Sequence, residues 1–257
     1  MRNLAGSVFL ISALIPGLAA AQPAEEDSDE AGEEAEGVSY GAELDVASRY
    51  IDHGIAESER PVFQPSAHVS YQGATLTAWS SIFMGSEPEM TSRLGEAKLV
   101  AEYEVELGKL SLTPELTGEM VPDEPSTAEF ALTASYDLGP VAVQVKPEVD
   151  LAEAAGAWYA ELGVARSHKF AQHWELEGSA AVAWCSGKFV HHHIDEAMNN
   201  GHVGAAIVES ALSYEASKSV SIKLHGMFSR MLDGEMRTAM GGDENLFSLG
   251  LAVGFNR

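Results

Sequence analysis

The chain has 257 residues, 39 of them acidic against 15 basic, and a formal charge of −24 at pH 7. That balance excludes nucleic acid as a partner, because phosphate recognition needs lysine and arginine. Cys185 is the single cysteine, which excludes an intramolecular disulfide framework, and no apolar run beyond the N-terminal one is long enough to cross a membrane as a helix.

The chain opens "MRNLAGSVFLISALIPGLAAAQ", with an early arginine, an apolar run from Val8 to Leu18 and small residues at Ala19 and Ala21. Those features predict a cleavable secretory signal peptide over residues 1–21 and an exported mature protein. Residues 22–37, "QPAEEDSDEAGEEAEG", carry eight acids and no base. A stretch with so little to bury and so much like charge is expected to be a disordered leader.

From residue 38 to 257 apolar residues recur at every second position, the period of a strand with one apolar and one polar face. Twelve segments follow in order: 39–53, 62–72, 74–84, 95–107, 110–121, 126–138, 141–152, 157–168, 173–185, 203–215, 220–231 and 245–256. Each is near the roughly 9–11 residues that a tilted strand needs to cross a bilayer. In "EAKLVAEYEVEL" the apolar set is Ala97, Leu99, Ala101, Tyr103, Val105 and Leu107, interleaved with Glu96, Lys98, Glu102, Glu104 and Glu106.

The connections alternate as well. "QGA", "GK", "GP", "KFAQ" and "EASKS" are short, whereas "MGSEPEMTSRLGE", "SGKFVHHHIDEAMNNG" and "LDGEMRTAMGGDE" are long and polar. Gly108-Lys109 and Gly139-Pro140 suit two-residue hairpin turns that open on a positive φ. Short turns at one end, long loops at the other and an even strand number predict an all-β fold, a transmembrane up-and-down antiparallel barrel of about twelve strands. On the apolar parity Tyr71, Tyr136, Trp174 and Tyr214 sit at short-turn ends, and Tyr50, Phe63, Trp158 and Trp184 at long-loop ends. Two aromatic belts around an aliphatic band suit two membrane interfaces better than the inside of a soluble sandwich. The termini and short turns are then expected on the periplasmic side of a bacterial outer membrane, with outer-membrane lipid around the barrel.

The stretch "ELDVASRYIDHGIAESERPVFQPSAHVSYQGATLTAWSS" adds a likeness of its own. Through Ser48-Arg49-Tyr50, His53-Gly54-Ile55, Gln64-Pro65 and the "TAWSS" strand around Trp79 it resembles the TorF-like porins of bacterial outer membranes. The likeness covers residues 43–84; that family usually has arginine where this chain has His53. It implies a transport-type barrel and no particular site residues. At the C-terminus Phe255 keeps the lipid-facing parity before Asn256 and Arg257, so the last strand ends near the aromatic that barrel-assembly machinery recognises.

The other parity is acidic. Its candidate pore-lining residues are Glu43, Asp45, Arg49, Lys98, Glu102, Glu104, Glu106, Glu115, Glu119, Glu148, Asp150, Glu175 and Glu177. A two-residue Gly108-Lys109 turn would set Lys98 opposite Glu119 and Glu102 opposite Glu115. Rings of carboxylates favour cations in a wet pore, whereas a small barrel can also be filled with polar side chains and conduct nothing. The sequence therefore points to a porin-like channel for passive diffusion of small polar solutes or cations, with no cofactor.

A surface site for copper or zinc is the alternative, from His191, His192, His193 and His202 with Met231, Met236 and Met240 of the last long loop. An enzyme is not expected. The chain has no G-x-S-x-G, and His225 has only Ser221 and Ser229 near it in sequence, which read more simply as polar lining.

Overall fold

The structure is a computed structural model describing residues 37–85, 93–242 and 245–257, so the expected signal peptide and the leader up to residue 36 lie outside the described residues. Fifteen strands and two short helices follow in order: β1 (Ser39–Ala47), β2 (Tyr50–Asp52), β3 (Ile55–Ser58), β4 (Val62–Tyr71), β5 (Ala74–Phe83), β6 (Leu94–Tyr103), β7 (Val105–Leu107), β8 (Leu110–Met120), β9 (Thr127–Asp137), β10 (Ala142–Asp150), β11 (Trp158–Ala171), β12 (Trp174–Cys185), α1 (Gly187–His193), β13 (His202–Ser217), β14 (Val220–Met231), α2 (Gly234–Ala239) and β15 (Asn245–Asn256). β6 and β7 make one stave broken at Glu104, and β2 and β3 stand apart as a hairpin. The remainder is a closed antiparallel ring of twelve staves, sealed where β1 pairs with β15 and β6 pairs with β8. Closure leaves no sheet edge, which is what a strand fold needs in lipid.

Side-chain alternation sorts the two faces of the ring. In β5 Ala74, Leu76 and Ala78 are exposed while Thr75, Thr77 and Ser81 are buried. Around the ring Leu44, Leu99, Leu116, Leu162, Leu176, Val208, Leu224 and Leu251 also face outward. Leaving a side chain of that size in water forfeits about 1.5–3 kcal/mol of burial each, so the outer face belongs in hydrocarbon. Tyr71, Tyr136, Trp174 and Trp158 are exposed on it near the stave ends, as the belts require.

The short turns lie together at one end, where Tyr40 and Arg257 exchange backbone hydrogen bonds of 3.0 and 2.9 Å. Gln72 (φ 48°) and Gly73 (φ 81°) both take left-handed backbone, the type I′ geometry that matches strand twist, and Gly108 and Gly139 have φ of 71° and 95°. The predicted register holds: Lys98 faces Glu119 and Glu102 faces Glu115. One expectation fails. The first segment does not run from 39 to 53, because the chain leaves the ring after Ala47, and Tyr50 turns inward instead of joining an aromatic belt.

Candidate functional site

The hairpin of β2 and β3 is folded into the barrel. Asp52 pairs with Ile55, leaving His53 (φ 49°) and Gly54 (φ 79°) as a two-residue turn with both positive φ values. Glycine is required at position 54, since a Cβ there would lie 2.6 Å from the Ala205 Cβ. His53 Nε2 reaches Glu148 Oε1 at 2.7 Å. Glu148 is on β10, and β1, which carries the hairpin, is separated from β10 by β15 to β11 on one side and by β4, β5, β6, β8 and β9 on the other. The two staves are diametrically opposed. The hairpin thus crosses the whole lumen.

Three further walls hold it. Asp52 Oδ2 lies 2.9 Å from Lys98 Nζ on β6, Ser229 Oγ on β14 donates to Gly54 O at 3.0 Å, and Ser248 Oγ on β15 donates to Arg49 O at 2.7 Å. Lys98 also contacts Glu96 (2.7 Å) and Glu119 (3.6 Å). Lys146 contacts Glu115 (3.6 Å) and Glu148 (3.7 Å). Both lysines are buried, so each holds carboxylates that would otherwise be uncompensated in a poorly hydrated interior. Burial alone would lower the pKa of His53, but the carboxylates of Asp52 and Glu148 outweigh it and raise it to about 10.

Apolar packing fills the space around the hairpin. Ile51 packs with Ala205, Ile207, Met227 and Leu246, and Ile55 joins a cluster containing Tyr159, Phe189, Val190, Met231 and Met236. Phe189 and Val190 come from α1, whose N-cap Ser186 accepts from Phe189 N, and Met236 comes from α2, capped by Asp233. The long-loop half of the interior is therefore packed.

The short-turn half differs. There the inward groups Glu43, Glu102, Glu104, Glu175, Glu177 and Lys223 are only half-buried, and Lys223 pairs with Glu43 at 3.1 Å. Of the other sequence candidates, Asp45 is buried against His225 Nε2 (2.9 Å), and Asp150 accepts from Thr127 Oγ1 (2.6 Å) at the far end of β10. Two expectations need correction. Arg49 sits outside the staves at the hairpin root, paired with Glu59 at 3.0 Å, because the chain has already left the ring there. Glu106 is exposed in the short strand β7, on the rim by the Gly108-Lys109 turn. Asp52 and His53 were missed as inward contacts; the Asp52-His53-Gly54 triplet, a turn signal between the apolar residues Ile51 and Ile55, was the available clue.

Behind the hairpin, the inner face of β4 and β5 carries Gln64, Ser66, Trp79 and Ser81, all buried. Ser66 pairs with Trp79, Val62 with Phe83, and the same register sets Gln64 opposite Ser81. Gln64 Nε2 and Oε1, Ser66 Oγ, Trp79 Nε1 and Ser81 Oγ make no hydrogen bond to any described residue. A buried polar group left so costs about 1–3 kcal/mol. The ring of Tyr50 lies over this patch, 5.3 Å from the Trp79 ring, and clusters with Val62 and Trp79 on either side of the Gln64–Ser81 row.

The histidine loop does not form a centre. His191, His192 and His193 are on α1, with the His193 ring stacked on Phe189 at 4.4 Å, while His202 is hydrogen-bonded to Asp233 at 2.8 Å. Met231 and Met236 are buried in the apolar cluster and Met240 packs against it. Among the described residues no three His, Cys, Asp or Glu side chains are grouped to hold a metal ion. His225 is bonded to Asp45, and Ser229 is turned to Gly54 O.

No protein-family model matches the chain, and comparison with curated proteins finds no match. Solved structures do resemble it. The NanC porin is 9% identical, with 83% of this chain and 98% of that one covered and a TM-score of 0.53. The KdgM porin in complex with disordered oligogalacturonate is 9% identical over 84% and 98% of the chains, TM-score 0.49. An outer membrane channel from Pseudomonas putida F1 is 10% identical over 89% and 100%, TM-score 0.49. At such identity the likeness concerns the fold, and the NanC porin carries it: this chain has the fold of an outer-membrane porin barrel.

Proposed function

We propose that the protein is a porin-like channel of the bacterial outer membrane, passing small polar solutes by passive diffusion and preferring cations. The observation that carries this reading is the closed twelve-stave ring, apolar outside and charged inside, with a lumen crossed by a hairpin and inward carboxylates that are only half-buried toward the short turns. The cation preference rests on the short-turn half. Lys98 and Lys146 are occupied around the hairpin, so Lys223 and, nearer the rim, Lys169 are the inward lysines set against Glu43, Glu102, Glu104, Glu175, Glu177 and Glu215. The TorF-like motif supports the same reading, since Tyr50, His53-Gly54-Ile55, Gln64 and Trp79 are the residues that build the hairpin and the wall behind it.

The test is a reversal-potential measurement in planar bilayers under a salt gradient. Wild type should pass cations in preference to anions, and replacing Glu102, Glu104 and Glu177 together by glutamine should move the ratio toward unity. Conductance with anion preference would reject the selectivity, and absence of conductance in every form of the protein would reject the channel.

A further inference from the structure

Resting on that channel reading, we infer that the wall formed by Gln64, Ser66, Trp79 and Ser81 is a binding station for an uncharged, hydroxyl-rich solute of the sugar type, uncovered when the hairpin lifts. The starting point is hydrogen-bonding capacity that goes unused. One amide, two hydroxyls and an indole N–H face inward on adjacent strands and find no partner among the described residues. A lumen wall that always lay under Tyr50 would gain nothing from such groups; apolar side chains would serve better there. Their presence makes sense if the wall is at times in contact with something that hydrogen-bonds.

The neighbourhood selects the chemistry of that partner. The charged groups flanking the patch along the same rows already have partners: Asp45 is hydrogen-bonded with His225, Glu43 is paired with Lys223, and Glu96 with Lys98. What remains is a set of neutral donors and acceptors beside an aromatic ring. Such a set suits a polyol, whose hydroxyls both donate and accept and whose C–H face packs on an indole. The cation nearest the ring, Lys98 with Nζ 5.9 Å from the Trp79 ring centroid, is already held by Asp52, Glu96 and Glu119, so an anionic solute finds no free counter-charge there.

The hairpin is built to come away without stranding charges. Removing Asp52 leaves Lys98 with Glu96 and Glu119, and removing His53 leaves Glu148 with Lys146. Each wall keeps a lysine beside its carboxylates when the hairpin departs.

The experiment is an equilibrium titration in detergent micelles, read from Trp79 emission after Trp158, Trp174 and Trp184 are replaced by phenylalanine. The probes are raffinose, as a neutral trisaccharide, and galacturonate, as a charged monosaccharide. One version of the chain has residues 50–58 replaced by a short Gly-Ser link. A second carries Asp52→Ala and His53→Ala, which loosens the hairpin while keeping its length should the deletion fail to fold. Raffinose should give a saturable change in the loosened forms, at least tenfold weaker in the parent because the hairpin must first be displaced. Gln64→Leu with Ser81→Ala should abolish it, and galacturonate should give none. No response in the loosened forms, a response that survives those two substitutions, or an equal response to galacturonate each overturns the inference. None of these results touches conductance, so the channel reading stands or falls separately.

Discussion

The two halves of the barrel interior are built from the same alternating staves yet are organised in opposite ways. In the long-loop half, lysine is the scarce species and each buried one is surrounded by carboxylates: Lys98 by Asp52, Glu96 and Glu119, and Lys146 by Glu115 and Glu148. There the hairpin, α1 and α2 add apolar side chains between the ion pairs. In the short-turn half no element is inserted among the described residues, the carboxylates are half-buried, and Lys223 and Lys169 are the lysines set among them. Burial accounts for the difference: carboxylates beneath the hairpin are largely shut off from solvent and need a fixed counter-charge, whereas those of the short-turn half keep part of their exposure. The fold thus places a specific, charge-paired constriction above a more exposed acidic half.

Breaking the long-loop half at its central cation should have the largest effect. Lys98→Met leaves Asp52, Glu96 and Glu119 mutually exposed and should destabilise the barrel by about 3–5 kcal/mol, measured by urea unfolding in lipid vesicles. Tyr50→Ala removes an aromatic packed on Val62 and Trp79 and should cost about 3 kcal/mol in the same assay. The equivalent change in the short-turn half, Glu102→Gln, should stay within about 0.5 kcal/mol because Glu102 is only half-buried and faces another carboxylate, Glu115. If Lys98→Met and Glu102→Gln were equally mild, the contrast between the halves would be lost.

The tip of the hairpin gives a pH test. His53 is raised to about 10 in the folded protein by Asp52 and Glu148 against the opposing effect of burial. A cation held above its unfolded value of roughly 6.5 stabilises in full below that value and loses its contribution as pH rises toward its folded one. The tether to β10 should therefore weaken from neutral pH up to about 10, and channel conductance should rise over that window. His53→Gln should flatten the rise. A conductance that instead falls as pH rises would contradict the assigned role of the tip.

The ring itself was legible because lipid enforces a strict period: eleven of the twelve predicted segments lie within three residues of the observed stave at both ends, and the 84–96 and 186–202 connections were recognisable by their length and polarity. The hairpin was not. Tyr50 continues the apolar rhythm of Leu44 and Val46 in β1, and period alone cannot tell a strand that goes on through the membrane from one that turns into the lumen. Trp79 misleads for a related reason, since an aromatic at an inward position only makes sense once Tyr50 is known to reach it. The methionines of the last long loop looked like soft metal ligands because nothing in their spacing reveals that α2 delivers Met236 into a cluster with Phe189.

If the hairpin across the diameter sets the size of the conducting path, single-channel conductance in planar bilayers reads its effect. Wild type is compared with a form in which residues 50–58 are replaced by a short Gly-Ser link, folding being checked by heat-dependent electrophoretic mobility. We predict small, cation-preferring steps in the wild type and steps severalfold larger, with the preference retained, once the hairpin is gone. Equal steps in the two forms, or no conductance in either, would contradict the account.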